Sequence, residues 1–336
     1  MLKKLSVVLL VIFIASFAFA GSGREAKEKA LDEMTVGVVL PYFQGWFNYW
    51  NIGWHVVMDE YGIETEVVLT NWEPEKEIQA VRDFVAKGVD AITITSGNPD
   101  AAQTCCQIAN DGGVPIQICD TKVAEGPGEP FSDVEFDWYD IGEKFGRNIA
   151  KYWPGSKVVE MQGLAGFGPV ELQKEGLRDF VAKEDGIELV HLEHINDYGI
   201  ETTLNTMRDI IQGGLDFDVV IGGAQEQTQG SIEALKAAGM LDEVVVVSGN
   251  GGPLDEENFA DGELDACISQ PPGFHAMVAA TVMIEFLKGN EPPKLTYTPT
   301  VWCMQDDWQE TVIPWEVDET WVPVVENFIR TGKLEY

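Results

Sequence analysis

Positive charge is scarce in this chain: 22 Lys and Arg stand against 56 Asp and Glu, a formal net charge of −34, with only four histidines. So acidic a surface repels phosphate backbones and anionic lipid, which argues against nucleic-acid binding and leaves solubility as the main work of the charge. Cysteine is sparse too, and Cys105, Cys106, Cys119, Cys267 and Cys303 form no CxxC and no metal-ligand spacing. Cys105 and Cys106 fall on an expected helix and Cys119 and Cys267 in apolar strands, positions suited to buried, unreactive thiols. No Walker loop, HExxH or nucleophile elbow occurs. His191 and His194 make an HxxH, but on a strand they point to opposite faces, which argues against a shared metal. The glycines of the loop Gly163-Leu164-Ala165-Gly166-Phe167-Gly168 are wrongly spaced for a dinucleotide fingerprint and suit a tight turn. No cofactor is expected. Beyond the N-terminal segment, no stretch is apolar enough to span a bilayer.

Residues 1–20 combine Lys3 and Lys4, an apolar run and Ala18-Phe19-Ala20, the pattern of a cleaved secretory signal peptide with Gly21 as the new N-terminus. The run is shorter than the roughly 20 residues a spanning helix needs, and no nearby cysteine offers a lipid anchor. The chain is therefore expected in the periplasm, where nucleotide-driven chemistry and gene regulation are improbable functions.

From Met34 onward, short apolar runs alternate with amphipathic stretches. Runs at 34–40, 66–70, 91–95, 114–119, 157–161, 189–192, 219–222 and 244–248 predict buried parallel strands. Pro74, Gly88, Pro99, Gly112 and Gly239 punctuate helices between them. Repeated βα units of this kind predict a doubly wound α/β architecture, and a Gly/Pro-rich break at 125–131 divides the rhythm into two similar lobes. Ligand groups then belong at the carboxyl ends of the strands.

Three segments carry a family resemblance: Val114-Pro115-Ile116-Gln117-Ile118-Cys119-Asp120, Glu160-Met161-Gln162-Gly163-Leu164-Ala165-Gly166, and Asp261-Gly262-Glu263-Leu264 followed by Ala266-Cys267-Ile268-Ser269-Gln270. Their order and spacing behind a leader resemble the periplasmic solute-binding proteins of ABC importers, in the ribose/galactose class with the type I periplasmic-binding fold. The resemblance implies two similar doubly wound parallel-sheet lobes joined by strands crossing near 121–136, 268–272 and 297–306. A spacer at 21–33 would precede an N-terminal lobe of 34–136 plus 270–298, a C-terminal lobe of 137–269 and a Trp-rich tail at 299–336 packing across both. It also implies ligand contacts at Gln44, Trp46, Phe47, Asp120, Gln173, Tyr198, Gln225, Asn250 and Gln270, with Ala224 as the alternative to Gln225. Gln173 replaces an arginine of the ribose-type pocket and Asn250 an aspartate, so one cation and one anion leave together and the site stays roughly neutral.

Those residue types suit a sugar, whose hydroxyls need planar polar partners and whose C–H faces need aromatic rings. Trp46, Trp50 and Trp54 recur every four residues along one helical stripe; Trp46 is expected at the ligand, Trp54 in the core, and Trp50 in either. Asp120 could instead cap a helix or loop, Asn250 could serve a turn, and Gln270 could serve a hinge alone. The expected function is non-enzymatic: a monomeric receptor captures a neutral monosaccharide or polyol and delivers it to an ABC importer permease. Alternatives are an autoinducer-2-like furanosyl signal, another small polar or cationic metabolite, or a sensor engaging a chemoreceptor or sensor kinase.

Overall fold

The computed structural model describes residues 29–184 and 186–335. The leader at 1–20 and the spacer through 28 lie outside the described residues. The apolar runs become strands and the amphipathic stretches helices, in the order β1 (Thr35–Leu40), α1 (Trp46–Glu60), β2 (Glu64–Leu69), α2 (Pro74–Lys87), β3 (Ala91–Ile94), α3 (Pro99–Asp111), β4 (Ile116–Cys119) and β5 (Ser132–Phe136). The pattern then restarts with α4 (Trp138–Tyr152), β6 (Ser156–Gln162), α5 (Gly168–Lys183), β7 (Ile187–His194), α6 (Ile200–Gln212), β8 (Val219–Gly222), α7 (Gln225–Ala238), β9 (Val245–Ser248), α8 (Pro253–Asp261) and β10 (Ala266–Ser269). It closes with α9 (Pro272–Leu287), β11 (Leu295–Thr298), β12 (Val301–Met304), α10 (Trp308–Thr311) and α11 (Val322–Thr331).

Two six-stranded sheets result, ordered β11-β5-β4-β3-β1-β2 and β12-β10-β9-β8-β6-β7. The first is parallel throughout. The second is parallel except for β12, which runs antiparallel to β10 with Val301 opposite Ser269. The short link from β11 delivers the chain at the carboxyl end of β10, so the next strand can only run backwards along it. Strands buried on both faces explain the continuous apolar runs. Trp54, Met58 and Met277 cover one face of the first sheet and Val81, Phe84 and Cys105 the other. Met207, Ile232 and Leu235 cover one face of the second, and Ile141, Phe145 and Leu177 the other. Trp50 and Trp54 are both core residues, 1% and 0% exposed, with rings stacked 5.3 Å apart. All five cysteines are buried, unpaired thiols. Burial pushes Cys105 and Cys106 up to about 12.

In the second lobe α4 and α5 meet backbone to backbone. A Cβ on Gly142 would lie 2.0 Å from the Gln173 carbonyl, and one on Gly176 would lie 2.1 Å from the Tyr139 carbonyl. Only glycine allows that approach, and it fixes the turn of α5 that carries Gln173. The chain passes between lobes after β5, after β10 and between β11 and β12. The C-terminal residues then stack Trp308 on Phe259 in the second lobe and set Trp321 and Phe328 against Phe274 in the first.

Candidate functional site

A cavity of about 380 Å³ lies between the lobes, lined by residues at the carboxyl ends of both sheets. This is where an open α/β sheet presents its ligand groups. The first lobe supplies Tyr42, Gln44, Trp46 and Phe47 after β1, Trp72 after β2, Thr95 after β3 and Asp120 after β4. Its aromatics brace one another edge to face, with ring centroids 5.3 Å apart for Tyr42 and Phe47, 5.0 Å for Trp46 and Phe47, and 5.5 Å for Phe47 and Trp72. Trp72 also reaches Phe167 of the second lobe at 5.2 Å, so the two walls touch.

The second lobe contributes more hydrogen-bonding groups. Gln162 ends β6, Gln173 projects from α5, Asp197 and Tyr198 follow β7, Glu226 opens α7, and Asn250 follows β9. Gln270 joins them at the crossing after β10. Behind this wall, buried Glu160 accepts from Gln162 Nε2 at 2.5 Å, and burial raises its carboxyl to about 7.

Backbone strain gathers here. Trp72, Asp120 and Tyr198 all adopt positive φ, at 60°, 48° and 52°, and all line the cavity; Asn71 is the one other described non-glycine residue that does so. Such conformations cost on the order of 1–3 kcal/mol each and persist where surrounding structure fixes them. Asp120 shows how: its Oδ1 accepts from the Phe136 amide at 3.3 Å, and its Oδ2 stands 3.0 Å from His275 Nε2. His275 Nδ1 in turn pairs with Thr298 Oγ1 at 2.7 Å. One carboxylate thus connects β4, β5, α9 and β11 at the crossings.

Among the described residues, three that line the cavity hold polar atoms without a hydrogen-bond partner, Thr95 Oγ1, Trp138 Nε1 and Gln270 Nε2; Asp120 Oδ2 faces His275 Nε2, and the Gln173 amide lies beside the Glu160 carboxyl. Of the three, Thr95 and Gln270 are nearly fully buried, each at 1%. Leaving such atoms unpaired costs about 1–3 kcal/mol each, and the set mixes donors with acceptors. Among the described residues no Lys, Arg or His lines the cavity, whereas Asp120, Asp197 and Glu226 do. Asp197 is engaged by the Gly199 amide and Thr202 Oγ1, and the Thr202 hydroxyl above all holds it below the usual carboxylate range. Glu226 is raised by burial, against the lowering pull of its own backbone amide and of Gln225 Nε2, which lies at 3.4 Å.

Gln44, Trp46, Phe47, Asp120, Gln173, Tyr198, Asn250 and Gln270 therefore all face the cavity, and Gln225 does not. Gln225 is bound into local structure: its amide donates to Asn250 Oδ1 at 3.1 Å and its Oε1 accepts from the Leu254 amide at 3.0 Å. Its neighbours Ala224 and Glu226 line the cavity in its place, because the first turn of α7 rotates Gln225 away. Glu226 also makes the wall more acidic than a neutral site. Tyr42, Trp72, Trp138, Phe167, Glu226 and Trp315 are lining residues that the sequence pattern did not single out. The position of Trp72 just past β2 was the available signal; Trp315 had none, lying far along the chain from any pocket-forming loop.

A family profile described as "Periplasmic binding protein domain" matches residues 36–291. The ribose import binding protein of Salmonella typhimurium is 29% identical over 234 residues, which is 69% of this chain and 77% of that protein. A galactofuranose-binding protein of Escherichia coli is 25% identical over 258 residues, 74% of this chain and 80% of its own length. Among solved structures, an ABC transporter solute binding protein of Bacillus halodurans with bound myo-inositol superposes with a TM-score of 0.78 at 20% identity, covering 85% of this chain and 98% of the other. A periplasmic solute binding protein of Actinobacillus succinogenes with bound D-allose gives 0.76 at 21% identity, covering 82% and 99%. At these identities the structural matches establish the two-lobed fold.

Proposed function

This chain belongs to the periplasmic binding protein domain family, and we propose that it is an exported receptor that closes on a neutral monosaccharide or polyol and delivers it to an ABC importer permease. The unpartnered polar atoms carry this reading. Trp138 and Gln270 offer donors and Thr95 either a donor or an acceptor, and the Asp120 carboxylate lining the same cavity accepts. A ligand that satisfies all of them must accept and donate from many points, as a polyhydroxylated ring does. The aromatic walls cover its C–H faces, and the relatives named for ribose and galactofuranose set the same chemical class.

Both lobes contribute lining groups, so a bound ligand gains contacts in the closed state that the open state cannot offer. That difference in affinity moves the equilibrium toward closure, and the closed surface is what a permease would engage. A misplaced hydroxyl would leave a buried partner unmet, which is the basis for discriminating epimers. The signal-peptide pattern at 1–20 and the family of the chain support a periplasmic location for the mature protein.

The test is a thermal-shift and intrinsic-fluorescence screen of pentoses, hexoses and cyclitols against the mature chain. At least one should raise the melting temperature and change the tryptophan emission. No response across the panel, with an amine or acidic metabolite responding instead, would overturn the reading.

A further inference from the structure

The segment after α10 lies beyond the family match, which ends at residue 291, yet it reaches the ligand cavity. Its side chains alternate as in an extended strand: Ile313, Trp315 and Val317 are buried at 0%, 2% and 5%, and Glu316 and Asp318 face solvent. Each inward residue is fastened to a different part of the fold. The Ile313 amide donates to Ser269 Oγ at 3.1 Å, at the end of β10. Trp315 Nε1 donates to the Asn250 carbonyl at 3.3 Å in the second lobe, while its ring meets Tyr49 of the first-lobe helix α1 at 5.5 Å. Val317 packs into the first-lobe core. The segment therefore runs beside the β10-to-α9 crossing and spans both lobes.

The surroundings are cut to fit this indole. A Cβ on Gly252 would lie 2.6 Å from the Trp315 ring, and one on Gly273 would lie 2.4 Å from the Trp315 carbonyl. Asn250, held through its own carbonyl by Trp315, uses its side chain toward Gln225 and, at 3.5 Å, toward Gln270 Oε1. The Gln270 amide nitrogen is one of the unpartnered cavity atoms.

We infer that Trp315 is a specificity-determining residue of the ligand site: its indole forms a wall of the cavity, and through the Asn250 carbonyl it positions the Asn250 and Gln270 amides. This rests on the sugar or polyol reading of the same cavity. An aromatic wall is broad and stiff, so it restricts which ring substituents fit, and it completes the site only when both lobes are in place.

The experiment titrates D-ribose, D-allose, D-galactose and myo-inositol by calorimetry against the mature wild type, Trp315→Ala, Trp315→Phe and Trp321→Ala. Trp315→Ala is expected to weaken the preferred sugar by at least about tenfold and to change the order of preference among the four. Trp315→Phe, which keeps a ring and loses the donor to Asn250, should weaken it by a few-fold with the order retained. Trp321→Ala removes tail packing on Phe274 away from the cavity, and should lower the melting temperature with affinity and order unchanged. If Trp315→Ala lowers the melting temperature like Trp321→Ala but binds with wild-type affinity and order, Trp315 is a brace and the inference is wrong. A folded wild type that answers none of the four and none of the wider panel of pentoses, hexoses and cyclitols removes the sugar reading itself.

Discussion

The two walls of the cavity differ in kind. The first lobe offers a close-packed set of rings, Tyr42, Trp46, Phe47 and Trp72, each supporting the next. The second offers amides and carboxylates, Gln162, Gln173, Asn250 and Glu226, with the buried carboxyl of Glu160 behind them. Rings give affinity for any flat apolar face, whereas fixed hydrogen-bonding groups distinguish one pattern of hydroxyls from another. A ligand resting on the first lobe alone would meet its rings and only three polar side chains, Gln44, Thr95 and Asp120, and so would be held but only partly identified. Full identification would come with closure, when the polar wall arrives.

The largest expected effect follows from dismantling the aromatic wall. Trp46 contacts Phe47, Phe136 and His275, and so links the cavity to the crossing strands. Trp46 is half-buried, and Trp46→Ala, which removes an aromatic wall of the site, should weaken binding of every sugar that the wild type accepts by about 100-fold, roughly 2.8 kcal/mol. Calorimetry across several sugars checks this. A loss confined to one epimer would show that the first lobe discriminates after all.

Gln173 tests the opposite wall, and its effect should be smaller and selective. Its side chain is buried in the cavity wall beside the Glu160 carboxyl, so Gln173→Ala should cost about tenfold in affinity for the preferred ligand. The measurement is the ratio of affinities between epimers, which should fall toward one. An unchanged ratio would remove Gln173 from recognition.

Much of this architecture was legible from residue order. Apolar runs such as 34–40 and 219–222 declare buried parallel strands because both sheet faces are covered, and βα repetition then puts Asp120 at a strand end, while Trp46, Asn250 and Gln270 were marked by the family resemblance. Side-chain rotation at a helix start is another matter. Gln225 and Glu226 differ by about 100° around α7, and nothing local says which one turns inward. Trp72 enters through a positive φ that a bulky residue rarely adopts, so no propensity announces it. Trp315 and antiparallel β12 depend on where the chain returns after α9, which is set by tertiary packing.

The polar wall should also respond to pH. Burial raises Glu160 and Asp255 to about 7 in the folded second lobe, while the unfolded chain releases those protons near 4. Between those values the folded state holds protons that the unfolded state does not. The stabilisation is full below about pH 4 and is lost as pH rises through about 7, on the order of 3 kcal/mol per group. Asp133 and Glu135 of crossing strand β5, raised to about 8 and about 7, act in the same direction. The melting temperature should therefore fall by several degrees between pH 5 and pH 8.5. Repulsion within a chain of net charge −34 pushes the same way. Glu160→Gln separates the two causes, since it should flatten part of the profile while leaving the surface charge intact. A profile unchanged by that substitution would mean that Glu160 does not titrate there.

The smallest effect, and the one that decides what the polar wall is for, concerns Glu226. It is the cavity carboxylate with neither a neighbouring histidine, as Asp120 has, nor a side-chain hydroxyl donor, as Asp197 has in Thr202. For a neutral ligand its oxygens are hydrogen-bond acceptors and nothing more. Glu226→Gln retains one acceptor, so affinity should change by no more than about threefold. Raising salt from about 0.05 to about 0.5 M should leave the wild-type affinity almost unmoved, because screening acts on charge pairs. A cationic ligand would behave otherwise: its ammonium would pair with Glu226 beside the faces of Tyr42 and Tyr198, and the substitution would cost tenfold or more. Insensitivity to both salt and Glu226→Gln would mean that closure reads hydroxyl geometry, while sensitivity to both would make the second lobe a charge detector with the rings as its cage.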